Sequence, residues 1–113
     1  MIRESLTEKC GRYFLIQVEA SGNLVCRWRD KTGDQDDNQM KSLAKVTLPI
    51  HLKLVQSGTG IHVFTSTDGR DGGKPRMSHT VAFDDKSRIG LFVCSGNTFS
   101  STTAVFDTVT VNE

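Results

Sequence analysis

Chemistry on protein side chains needs partners at set spacing, and this chain scatters its candidates. Glycoside hydrolysis takes two facing carboxylates at set separation, but Glu4, Glu8, Glu19 and Glu113 are scattered in no such pattern. The histidines, His51, His62 and His79, are separated too. His51 and His62 fall on the two arms of an expected hairpin, where a cross-strand pair is open to them; solvent-facing rings are the default. No Gly-x-Ser-x-Gly, P-loop or Cys/His nucleophile pair occurs. The residues therefore predict no enzyme and no cofactor.

Asp34, Asp36, Asp37 and Asn38 offer closely spaced hard oxygens of the kind Ca²⁺ favours. No glycine or closing Glu completes an EF-hand loop, so the expectation is a solvated acidic loop and no metal site. Asp107 sits inside a strand-like run and predicts a structural partner. Asp68 is an ordinary turn carboxylate. Cys10, Cys26 and Cys94 make an odd number, which leaves at least one thiol unpaired within the chain. Cys26 and Cys94 both lie in strand-like runs, as buried thiols or, should those strands face each other, as a disulfide.

The remaining chemistry is recognition. Sugar binding on a β-sandwich uses an aromatic ring against the apolar face of a pyranose, with polar groups on its hydroxyls. Trp28, flanked by Arg27, Arg29 and Asp30, is the candidate platform. Its plainer reading is core, because it is in phase with Leu24 and Cys26.

Elements of period two must position these residues. Residues 12–19 place Phe14, Ile16 and Val18 on one face and Tyr13, Leu15, Gln17 and Glu19 on the other. Ala-Ser-Gly-Asn turns the chain, and residues 24–29 resume the alternation, giving a hairpin. Residues 38–45 have helix-friendly composition but span only about two turns, too short to stand alone, and are expected as loop. Residues 46–56 predict a strand with Ile50, Leu52 and Leu54 on its apolar face and Pro49 early or at an edge. Ser57-Gly58-Thr59-Gly60 turns it back into residues 61–66. Further strands are expected at 78–83, 88–95 and 102–111, about seven in all. That sum is an all-β antiparallel sandwich in a single domain, residues 1–113.

Composition excludes several partners. Of 113 residues, 14 are basic and 13 acidic, a net charge of +1. That balance gives no electrostatic reason for nucleic acid or an anionic membrane as partner. No apolar run approaches the roughly 20 residues that span a bilayer, and the first residues have no basic-then-apolar export layout.

The ordered motifs resemble one family. Met1 to Leu6, Trp28-Arg29, Pro49-x-x-Leu-Lys-Leu, Phe64 to Gly69, Ile89 to Val93 and Phe106 to Val109 are similar to the concanavalin A-like lectin/glucanase sandwich. The branch is one of unknown function, found at the end of some β-xylosidases and in bacterial surface proteins. The resemblance implies a jelly-roll sandwich and a secreted or surface location. Glucanases of this type carry a Glu-x-Asp-x-x-Glu cluster, which this chain lacks, and relatives carry a Trp after the Asp-Gly turn, where this chain has Arg70-Asp71-Gly72-Gly73. In the family the opening motif lies mid-domain, so the resemblance implies absent N-terminal strands. A second copy or an upstream domain would then cover the exposed sheet. Two functions stand as expectations: a non-catalytic carbohydrate-binding or accessory module using Trp28, Arg27 and Arg29 on a glycan, or a self-associating structural and protein-interaction module.

Overall fold

The computed structural model describes residues 1–4, 11–33, 38–67, 74–83, 87–91, 103–106 and 109–111. Eight strands run through them: β1 Ile2–Arg3, β2 Tyr13–Val18, β3 Asn23–Arg29, β4 Gln39–Lys45, β5 His51–Ser57, β6 Gly60–Ser66, β7 Met77–Thr80 and β8 Arg88–Ile89. They form a five-stranded sheet in the order β4-β3-β2-β1-β8 and a three-stranded sheet in the order β5-β6-β7. Every pairing is antiparallel. No helix occurs among the described residues, and the two sheets make the expected all-β sandwich.

Both expected hairpins form where turn chemistry allows them. Between β2 and β3 the chain reverses over Ala20, Ser21 and Gly22, closed by Glu19 N donating to Asn23 O at 2.9 Å. Gly22 adopts φ 90°, the left-handed residue that a three-residue hairpin loop requires. A methyl group there would also meet Val46 O at 3.1 Å, because Val46 N donates to Gly22 O. Between β5 and β6 the loop is Gly58-Thr59, with Ser57 opposite Gly60 and Gly58 at φ 60°.

The core lies between the sheets. Ile2, Phe14, Cys26 and Trp28 face inward from the five-stranded sheet; Ile61 and Val63 meet them from β6, and Val81 from just beyond β7. Phe14 stands opposite both Ile2 and Trp28 in register, so these side chains form one apolar row across three strands.

Residues 39–45 depart from expectation. They form strand β4 rather than a loop, because the free edge of β3 offers them a ladder that a two-turn helix cannot match. The register slips between Leu24 and Val25, a β-bulge in which Leu43 has no partner and packs onto the core. The strand expected over 46–56 begins only at His51, beyond Pro49, which has no N–H to give a ladder. Inward residues Leu52 and Leu54 keep the predicted phase, although Leu52 remains 41% exposed. The strand expected from 78 ends at Thr80, and described residues 103–106 and 109–111 of the last expected strand lie outside any strand.

Candidate functional site

Trp28 faces the sandwich interior and is 8% exposed. Phe14 stacks beside it at 6.0 Å between ring centroids, and His79 lies against it at 4.5 Å. His79 reaches Trp28 because it pairs with the fully buried Ile61 and so points inward from β7. Trp28 therefore presents no open ring for stacking, a correction to the exposed platform: its phase with Leu24 and Cys26 decides its side of the sheet. The solvent-facing default fails for His79 for the same reason. Met77, His79 and Val81 alternate, and the outer two pack on or in the core, which is the signal that places the ring.

Asp30, just past β3, ties this contact down. Its Oδ1 lies 2.9 Å from His79 Nε2, linking the two sheets, while its Oδ2 accepts from Gln39 Nε2 at 2.9 Å. Trp28 Nε1 is buried without a hydrogen-bond partner among the described residues.

The opposite face of the same sheet carries the polar chemistry. Registers place Arg88 opposite Arg3, Arg3 opposite Tyr13 and Tyr13 opposite Arg29. Facing residues of an antiparallel pair share a side, and Ile2 and Phe14, the next residues along, point inward. This row therefore points out. Tyr13 is half-buried and held at two points: the Arg29 guanidinium lies 5.3 Å from its ring centroid, and its hydroxyl donates to Asn38 Oδ1 at 3.1 Å. Arg29 Nη2 donates to the same Asn38 oxygen at 2.8 Å, and Nη1 to Gly11 O at 3.4 Å. Arg29 is 8% exposed, and its Nε–H has no partner among the described residues. Next along the face, Arg27 opposes Leu15 and lies 3.8 Å from Glu19 Oε1, with its side chain 41% exposed.

A clasp closes the end of this face. Glu4 Oε1 accepts from Arg12 N at 2.9 Å and from Thr32 Oγ1 at 2.6 Å, and Oε2 accepts from Arg12 Nε at 2.7 Å. Burial pushes the Glu4 carboxyl up, but the Thr32 hydroxyl, the Arg12 amide and the Arg12 guanidinium together hold it below its ordinary value. On the inner side, burial pushes the free Cys26 thiol up to about 11 against the opposing charge of Lys41.

Of the sequence candidates, Arg27 and Arg29 share the outer face and Trp28 lies beneath it. His51 opposes Ser66 and His62 opposes Val55, so the two histidines form no pair. His62 Nδ1 lies 2.7 Å from Ser78 Oγ instead. Asp34, Asp36, Asp37, Asp68, Asp107, Cys10 and Cys94 lie outside the described residues. Among the described residues no group of three or more His, Cys, Asp or Glu is placed to hold a metal, and no helix is long and apolar enough to cross a membrane. Tyr13 is the ring on the outer face, opposite Phe14 as the alternation predicts, and the shared alternation of Tyr13 with Leu15 and of Arg27 with Arg29 is the sequence signal that marks it. Comparisons with protein-family models, curated proteins and solved structures returned no match to this chain.

Proposed function

We propose that this chain is a non-catalytic carbohydrate-binding module whose ligand face is the outer side of the five-stranded sheet. The observation that carries the reading is Tyr13, a half-exposed ring held by Arg29 and Asn38 among arginine side chains on a β-sheet face. A ring fixed before the ligand arrives loses little entropy on binding. Sugars stack on such a ring while neighbouring guanidinium groups donate to hydroxyls. Trp28 supports the face from below, Arg29, itself buried, holds the Tyr13 ring, and Arg27 keeps the ligand role expected of it from the sequence. Screening the protein and its Tyr13→Ala variant on a broad glycan array tests it. Binding by the parent that falls at least tenfold in the variant supports the module; silence of both across the array overturns it.

A second reading has its own observation. β5 is an edge strand with Leu52 partly exposed, and Ile89 and Leu91 are exposed at the β8 edge of the other sheet. Edges without a neighbouring strand among the described residues, beside apolar side chains, favour pairing with another chain, as in a self-associating interaction module. Sedimentation at micromolar concentration separates the readings, since a clean monomer leaves the edges without a self-partner.

A further inference from the structure

Resting on the self-associating reading, we infer that the segment carrying Val105, Phe106, Val109 and Val111 of one copy adds as a strand to the β5 edge of a second copy. The described residues of this segment, 103–106 and 109–111, are all exposed, Val105 at 90% and Phe106 at 50%, and lie in no strand. No backbone hydrogen bond joins them to another described residue. Their sequence nevertheless reads as strand throughout. Thr-Ala-Val-Phe-Asp-Thr-Val-Thr-Val holds no Gly, Pro or Lys and is rich in Val, Thr and Phe. A stretch of such composition and low charge gains most by joining a ladder, which pairs its backbone and covers its side chains.

Among the described residues β4 and β5 are the long edge strands, and they are defended unequally. β4 carries Lys41 and Lys45, and its register with β3 slips between Leu24 and Val25. Edge lysines and bulges are devices that blunt pairing. β5 runs seven residues in unbroken register with β6 and holds one lysine, Lys53. Of its inward residues, Leu52 is exposed and Leu54 half-buried against the core, so the sandwich interior is incompletely covered along this edge. Either phase of an added strand brings apolar side chains beside them: Val105, Val109 and Val111 in one, Ala104 and Phe106 in the other. Pairing of β5 with another β5 would leave those side chains in water, whereas the segment as occupant satisfies both surfaces at once. Donor and acceptor are different parts of the chain, so reciprocal exchange between two copies closes as a two-fold dimer. The Tyr13 face lies on the other sheet and stays open.

Sedimentation velocity and amide hydrogen exchange on the parent chain and two variants test the inference. Val109→Pro removes a ladder N–H and Val105→Lys adds a charge, both at exposed positions outside any strand, where neither disturbs the core. The expected result is a dimer at micromolar concentration whose dissociation constant rises at least tenfold in each variant. Exchange at alternate β5 amides, those facing away from β6, should quicken at least tenfold in the variants at the same concentration. A dimer unmoved by both variants overturns the donor segment while leaving self-association standing. A dimer weakened by the variants with β5 exchange unchanged overturns β5 as the acceptor. A monomer whose β5 amides are protected in the parent and exposed in the variants means that the segment pairs within its own chain, and overturns the second copy. A monomer with β5 amides unprotected throughout overturns the self-associating reading itself.

Discussion

Asp30 and His79, 49 residues apart in sequence, meet across the sandwich with Oδ1 2.9 Å from Nε2. The contact joins the end of β3 to β7, so it ties one sheet to the other directly above the Trp28 ring. Removing either partner should loosen the sheet pair at this end. Asp30→Ala should destabilise the fold by about 1 kcal/mol, within the range for a partly exposed charged hydrogen bond. His79→Ala should remove roughly 2 kcal/mol, because it also strips the ring from Trp28 and leaves a void. Urea unfolding of both single variants and the double variant should give a coupling of about 0.5–1 kcal/mol. Strict additivity would show that the two groups do not act together.

Cys26 should be inert in the folded chain. Its side chain is fully buried in the core, and its thiol is held near 11 instead of the ordinary 9.0, so little thiolate forms near neutrality. A disulfide reagent at pH 8 should modify it only at the rate of unfolding. The same shift sets an alkaline limit. The folded state resists losing the thiol proton, so stability is complete below pH 9 and declines as pH rises from there toward about 11. Cys26→Ala should flatten that decline, which urea midpoints across the range would report.

On the acid side Glu4 has the opposite sign. Its folded carboxyl is held below its ordinary value, so the unfolded chain takes up the proton first as pH falls. Stability from the clasp with Arg12 and Thr32 is present above the ordinary carboxylate range and is lost as pH drops through the folded value. Glu4→Gln should therefore be less stable than the parent at pH 7, with the gap narrowing as pH approaches 3. A gap independent of pH would mean that the clasp holds through shape and not through charge.

Gly22→Ala should destabilise by roughly 1–3 kcal/mol, since alanine must take a left-handed backbone. Its methyl also meets Val46 O at 3.1 Å. Gly58→Ala, at φ 60° with open space around its Cβ position, should lose only the backbone share. Equal losses would show that the Val46 contact adds nothing.

These glycines also mark how far the sequence alone carries. Both hairpins were legible because local turn chemistry and strict alternation coincide, as around Gly22 and from Tyr13 to Arg29. Residues 39–45 were not legible, since Gln-Met-Lys-Ser-Leu-Ala-Lys has helical propensity and becomes a strand only beside β3. Of the site, alternation correctly sends Arg27 and Arg29 outward and Trp28 inward. The neighbours of Arg29 could not be read, because register alone brings Arg3 and Arg88 into its row from opposite ends of the chain. His79 shows the same limit: its inward direction is in the pattern, but its contact with Trp28 depends on how two sheets stack.

Amide chemical-shift mapping tests the central claim most directly, by titrating the labelled protein with the tightest glycan ligand found on the array. Shifts should concentrate at Tyr13, Leu15, Arg27 and Arg29 on the outer face, with Arg3 and Arg88 at its far edge, and leave Val55 and Phe64 of the second sheet unmoved. A glycan that moves only residues of β5 and β6, or that moves none at saturating concentration, would contradict a carbohydrate-binding face on the five-stranded sheet.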